Sequence, residues 1–231
     1  MFEAWLRLDV AWIGGFDLPF GLPRQLLQTL DWPTEWSLFI AHYARLSRAD
    51  IRSQFAAFCN ARPVGSKFAY RATDGPANSS PSMKWVNPPV AFMLHAGVPR
   101  LLAAGVQLVG VGQPRVDAHR PRIALESYPG LLARESLGHR SYKSDDKAKQ
   151  TPERLIARKD LITSLEHGQT RLGLRLKLTH AQRDTLVADA SGDSLDAVLC
   201  LVQAAWGKAQ GAPNYGLPAQ VDPLEGWIVT A

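Results

Sequence analysis

Gly14-Gly15-Phe16-Asp17-Leu18-Pro19-Phe20-Gly21-Leu22-Pro23 follows the apolar run Val10-Ala11-Trp12-Ile13. β-Branched and aromatic residues ahead of a glycine pair predict a short buried strand over 10–13, punctuated by glycine and broken by a Pro/Gly-rich turn. Asp17 then stands where a strand ends and the chain changes direction, the place at which open α/β sheets bind ligands. The run Arg122-Ile123-Ala124-Leu125-Glu126-Ser127-Tyr128-Pro129-Gly130 repeats the pattern: an apolar strand, a carboxylate, then a Pro-Gly turn. If the two strands are neighbours, Asp17 and Glu126 converge at one sheet edge.

Working outward, Pro23 opens a helix that Asp31-Trp32-Pro33 closes. Thr34 reads as the N-cap of a second helix burying Trp36, Phe39, Ile40, Tyr43 and Leu46. Ser47 and Asp50 form a capping-box pattern before a third, with Ile51, Phe55 and Phe58 inward. Residues 60–90 are rich in proline, glycine and serine, and a loop this long is usually functional or disordered. Phe68, Tyr70 and Trp85 argue for order, so the segment is expected to be an ordered, ligand-facing loop carrying Lys67, Arg71, Asp74 and Lys84. Arg71 and Asp74 either pair to shape this loop or help bind substrate.

Further along, a helix is expected near Val90–Ala104, a short strand within Val106–Val111, and a helix from Thr151-Pro152-Glu153 to about Glu166. Leu174, Leu176 and Leu178 alternate with Arg175 and Lys177, which predicts a short strand. Ser191-Gly192-Asp193-Ser194-Leu195-Asp196 opens a nearly all-apolar helix through Trp206, buried against a sheet. Asp193 and Asp196 share one face of it. An N-cap and a dipole-complementing acid explain one of them comfortably. Two on so apolar a helix point to a ligand, because an unpaired buried carboxylate is costly.

The composition is that of an ordinary folded protein, with 46% hydrophobic and 20% charged residues among 231. No apolar run reaches the ~18 residues of a membrane span, and no signal-peptide pattern opens the chain. Cys59 and Cys200 lie in unrelated contexts and read as reduced thiols of a cytoplasmic protein. The six histidines lack ligand-like spacing, which argues against structural zinc. Residues 134–183 hold twelve Lys/Arg against six Asp/Glu. That excess suits a polyanion such as nucleic acid, or else marks a solvated helix face laced with ion pairs. Lys143 either contacts phosphate or is a surface lysine. Ser127 has no GxSxG context, and the glycine pairs match no phosphate-binding fingerprint.

Four acids thus occupy distinctive places: Asp17, Glu126, Asp193 and Asp196. Like charges resist clustering unless cations neutralise them. Mg²⁺ takes one or two carboxylates plus waters and phosphate oxygens, and metal pairs cleave phosphodiesters. The ordered set GGFDLPFGLP, RATD, SMKWVNPP, ALESYPG, SYKSDDKAKQTPERLIARKDL, SGDSLDAVLCLVQAAW and DPLEGWIV resembles the family catalogued as domain of unknown function 429, along essentially the whole chain. That resemblance implies an RNase H-like three-layer α/β fold, a mixed sheet flanked by helices. It also implies a single domain over 1–231 with a helical and loop insertion at about 22–105, and a predicted nuclease using Mg²⁺ or Mn²⁺. The DxxDA run at 193–197 is similar to the last acidic motif of RuvC-type resolvases.

By this likeness Asp17, Glu126, Asp193 and Asp196 are catalytic, with Asp17, Asp193 and Asp196 on the metal. From the residues themselves, Arg71, Asp74, Lys84 and Lys143 are expected to contact the nucleic-acid substrate. The family opens with a three-stranded meander whose first strand bears an Asp, whereas Met1–Leu6 resembles the helix after it. The expectation is therefore a truncated sheet, strands 1–3 absent, with about forty residues, three strands and their turns, missing ahead of Met1. A bare sheet edge and exposed apolar helix faces would follow. A non-catalytic nucleic-acid-binding module is the alternative function; small-molecule phosphoryl chemistry is a third.

Overall fold

The computed structural model describes residues 2–114 and 119–231. Three strands, β1 (Trp12–Phe16), β2 (Gln107–Leu108) and β3 (Arg122–Glu126), form a sheet of order β1-β3-β2. Both pairings are parallel, with Phe16 opposite Glu126 and Leu108 opposite Ala124. Among the described residues the sheet is thus small and all-parallel, where a mixed sheet was expected. β1 and β2 are its two edges.

Among the described residues ten α-helices surround it: α1 (Phe2–Leu6), α2 (Arg24–Thr29), α3 (Trp36–Tyr43), α4 (Arg48–Asn60), α5 (Asp74–Ala77), α6 (Val90–Ala103), α7 (Pro129–Leu137), α8 (Pro152–His167), α9 (His180–Ala188) and α10 (Asp193–Gln210). Strand alternation sorts the layers. Trp12, Phe16 and Ala124 pack into a core with Phe39, Tyr43, Phe55, Leu94 and Leu101 from α3, α4 and α6. Ile13, Ile123 and Leu125 face the other way, toward Ala204 and Trp206 of α10. Beyond α10, the Leu132, Leu161, Leu165 and Leu199 cluster joins α7, α8 and α10. The result is an α/β/α arrangement.

Several local expectations need correction. Gly14 and Gly15 do not end the strand but lie inside it. A Cβ at Gly15 would stand 2.3 Å from the Cys200 carbonyl oxygen and 2.5 Å from Ser127 Oγ. Glycine here lets α10 press against β1. Glu35, not Thr34, caps α3, its carboxylate accepting from the Ser37 and Leu38 amides at 2.9 and 3.0 Å. Pro129-Gly130 is not a turn but the start of α7, with proline in the position that needs no amide donor. Residues 174–178 form no strand: the leucines pack on the α7–α8–α10 core from an extended segment. The Ser47–Asp50 capping box is present as read. No helix of the described residues is long and apolar enough to cross a membrane.

Candidate active site

Asp17 follows the last residue of β1 and carries the side-chain direction of Ile13 and Gly15, toward α10. Asp196 lies in the first turn of α10, and Cys200 one turn further, beside Gly15. The close approach at Gly15 therefore brings Asp17 over the N-terminal end of α10. Burial first, and the Asp196 charge second, push the Asp17 carboxyl up to about 6, while Lys143 works against the rise. The residue is nonetheless exposed on its solvent side, and it stands at the mouth of a cavity whose walls crowd the carboxyl.

Asp196 is held from the other side. The Tyr142 hydroxyl and the Lys143 ammonium both donate to its carboxylate. Burial, then the Asp196 charge, raises the Tyr142 pKa, so the phenol stays a neutral donor. Burial opposes the Lys143 charge, but its bond to Asp196 outweighs that and the ammonium is retained. Arg154 and Arg158 of α8, one turn apart, donate to the carbonyls of Lys143 and Tyr142, the latter at 2.8 Å. The 142–143 pair is thus clamped to a buried helix. Cys200 is buried, and burial with the two nearby carboxylates drives its thiol pKa upward, away from thiolate chemistry.

Glu126 has a different fate. It points to the opposite face of the sheet from Asp17, where it accepts from the Phe20 amide at 2.9 Å and from Arg71 at 2.7 and 3.0 Å. Arg71 also donates to Asp74 through Nε (3.2 Å) and Nη2 (2.9 Å), and to the Glu225 carbonyl at 3.0 Å. All five guanidinium N–H donors are thereby used. Burial raises the Glu126 pKa and Arg71 opposes it. For Arg71, burial would lower the pKa, but Glu126 and Asp74 overcome it and the net shift is upward. The geometry makes Arg71, Asp74 and Glu126 a buried ion cluster that ties the 71–79 loop to β3. It leaves none of the three a free group for substrate or metal.

The C-terminal segment completes this cluster. Glu225 accepts from the Arg24 and Ala72 amides at 2.8 and 3.0 Å, and Arg24 pairs with Asp222 at 2.6 Å. The Ile228 amide donates to Thr73 Oγ1, and the Val229 amide to the Glu126 carbonyl.

Asp193 is not brought into the Asp17–Asp196 pair. Gly192 caps α10, and Asp189 serves its first turn, accepting from the Ser194 amide at 2.8 Å. Asp193 is exposed, its carboxylate 3.3 Å from the Ser191 hydroxyl that donates to it. Lys84 is held by backbone bonds to Pro81 and Ala91 and does not line the cavity. Among the described residues no group of three or more His, Cys, Asp or Glu could hold a metal ion. The donor set fits one hard cation, which needs only one or two carboxylates, provided Lys143 releases Asp196. It does not fit a pair of ions.

The cavity beside Asp17 has a volume of about 210 Å³. Lys143, Ser127, Ser79 and Ser80 supply polar groups, and Arg71 and Glu126 of the ion cluster line the same space with their donors and acceptors already engaged; Leu18, Val90 and Met93 supply an apolar wall. Sequence reasoning missed Tyr142 and set Ser127 aside. Tyr142 was legible as the neighbour of Lys143, whereas Ser127 gave no signal, since its relevance comes from the parallel register opposite Asp17. Much of the basic excess at 134–183 is committed within the fold: Arg140 pairs with Asp160, Arg171 with Glu135 and Arg183 with Glu166. Fold and site together define an α/β protein with a carboxylate pair at the carboxyl end of its sheet. No protein-family model, curated protein or solved structure matches the chain.

Proposed function

We propose that this chain is a metal-dependent hydrolase of phosphodiester bonds in nucleic acid, built on an RNase H-like fold of the kind its resemblance to domain of unknown function 429 implies. The observation that carries the reading is the convergence of Asp17, from a parallel strand end, with Asp196, from the first turn of the helix packed on that strand. Burial first and the Asp196 charge second push the Asp17 carboxyl up to about 6, and a cation between two such carboxylates would relieve their repulsion. Asp17 and Asp196 would hold Mg²⁺ or Mn²⁺, which when bound polarises phosphoryl oxygens and acidifies water.

The chain's own groups do the rest. Lys143, fixed through its carbonyl by Arg154, presents an ammonium to a phosphate oxygen once Asp196 no longer engages it. Tyr142 holds one oxygen of Asp196 and so orients the carboxylate. Arg71, Asp74 and Glu126 act through the loop and strand they hold.

The test is cleavage of labelled single-stranded and structured DNA and RNA with added Mg²⁺ or Mn²⁺. Asp17→Asn and Asp196→Asn should each abolish turnover; full activity in either variant would sink these roles. A specific observation favours a second reading, a nucleic-acid-binding module without turnover: Lys143 already neutralises Asp196. Salt-sensitive binding with no metal-dependent cleavage would select it.

A further inference from the structure

Ser127 is 2% exposed, and its hydroxyl is a buried oxygen without a hydrogen-bond partner among the described residues. Such a group costs stability unless something pairs with it. The register that sets Phe16 opposite Glu126 sets Asp17 opposite Ser127 one step on, and both line the 210 Å³ cavity. The adjoining wall is Tyr128, whose ring carries the Arg134 guanidinium 5.3 Å from its centroid. Arg134 itself is fixed by the Ala77 and Asn78 carbonyls. Leu18, Val90 and Met93 supply apolar surface facing the same space.

An orphan hydroxyl, an aromatic ring backed by a cation, an apolar wall and a lysine at one mouth form a site for a flat, partly polar group with a phosphate attached. The volume is below the roughly 300 Å³ at which small-molecule pockets usually begin, so only part of a larger ligand enters. A stacked or paired base cannot present itself to such a recess, whereas an unstacked one can.

We infer that the cavity receives one unstacked nucleotide of a single-stranded nucleic acid, with Ser127 bonding the inserted group and Tyr128 lying against it. This substrate class rests on the hydrolase reading above, because it places the adjoining phosphate at Lys143 and at the cation that Asp17 and Asp196 would hold.

The experiment measures binding of fluorescein-labelled single-stranded DNA and RNA hexamers, and of the matching duplexes, by anisotropy in Ca²⁺, which supplies a cation to the carboxylates. It is paired with cleavage assays in Mn²⁺. The variants are Ser127→Ala, which removes the orphan hydroxyl, and Val90→Trp, which fills the recess. Single strands of one or both sugar types should bind at least about five-fold tighter than duplex, the lower end of what one stacked base contributes. Each variant should lose at least about that factor. Ser127→Ala should unfold at the wild-type denaturant midpoint or above it, since no bond is lost; a purely structural serine would lower the midpoint and leave binding intact. If wild type cleaves duplex and single strand alike, and both variants keep wild-type binding and rates, the pocket assignment fails and the hydrolase reading stands. If wild type neither binds nor cleaves any of these nucleic acids, both fail.

Discussion

Replacing Arg71 by methionine tests whether the ion cluster under β3 is architecture or substrate machinery. The change removes five donors and leaves Asp74 and Glu126 buried, at 1% and 2% exposure, without their shared counter-charge. Breaking a buried pair by deleting one partner costs roughly 3–5 kcal/mol. In a chain of this size that corresponds to a fall in Tm of roughly 6–20 °C. Urea unfolding followed by circular dichroism and tryptophan fluorescence measures it.

The pH dependence gives a second handle. Burial already raises the Glu126 pKa and Arg71 opposes the rise, so without Arg71 the Glu126 carboxyl holds its proton in the folded state at pH values where the unfolded chain has lost it, and stability falls as pH rises. The deficit against wild type should be smallest near pH 4 and grow toward neutrality. Adding Glu126→Gln to Arg71→Met removes one orphaned charge and should recover at least about 1 kcal/mol, a non-additive outcome expected of groups in one network. A cost below about 1 kcal/mol with nucleic-acid affinity abolished would refute the structural assignment and return Arg71 to the substrate site.

The wild-type Asp17 pKa of about 6 lies above its ordinary value of 3.8, so the folded state takes up a proton between those values. Its contribution to stability therefore declines as pH rises from about 4 to about 6 and stays lost above. Asp17→Asn should flatten that part of the pH–stability profile and be the more stable protein at pH 7, while inactive; an unchanged slope would show that Asp17 is not the titrating group. Lys143→Met should move the Asp17 titration, read by carboxyl ¹³C NMR, to higher pH, because Lys143 lowers it now. The same variant should tighten Mn²⁺ binding measured by calorimetry, by releasing Asp196; weaker binding would argue against a cation there. Gly15→Ala forces a Cβ into the Cys200 carbonyl and should cost about 1–3 kcal/mol while separating Asp17 from Asp196, seen as loss of turnover beyond that of other equally destabilised variants.

Legibility in the sequence followed the range of the forces involved. Helices with strong apolar periodicity, such as α4 and α10, and the capping box at Ser47 are local and were readable. Both strand-end carboxylates were readable too, because each ends an apolar run. The strand limits were not: Gly14 and Gly15 look like punctuation along the chain, yet Gly15 lies inside β1 where α10 crosses it, and Gly14 lies on the other face between the Trp12 and Phe16 rings. The alternating leucines at 174–178 satisfy a strand pattern, yet they pack against the α7–α8–α10 core with no neighbouring strand. Of the site, Asp17, Asp196 and Lys143 came from pattern and resemblance. Ser127 and the saturation of Arg71 depend on register and on segments more than a hundred residues apart.

Asp17 and Glu126 look equivalent in sequence, each a carboxylate at a strand end before a proline. Their difference arises from a single step of register. Glu126 is the residue opposite Phe16, and Asp17 comes one position later, so the pleat sends the two side chains to opposite faces. On one face waits a guanidinium already tied to Asp74 and the Glu225 carbonyl, which fixes Glu126 as part of the frame. On the other waits the first turn of α10, where Asp196 and Lys143 leave Asp17 exposed with a displaced pKa; the cavity at this end of the sheet is lined from both faces, but only Asp17 meets it without a cation of its own. The frame carboxylate is offset by a cation of the fold; the site carboxylate is only partly offset, and that residual negative charge is what can bind a cation. A glutamate one residue further along β3 would join Asp17 on the α10 face and leave Arg71 without that partner, so register, more than residue type, decides which acid in this chain faces the helix.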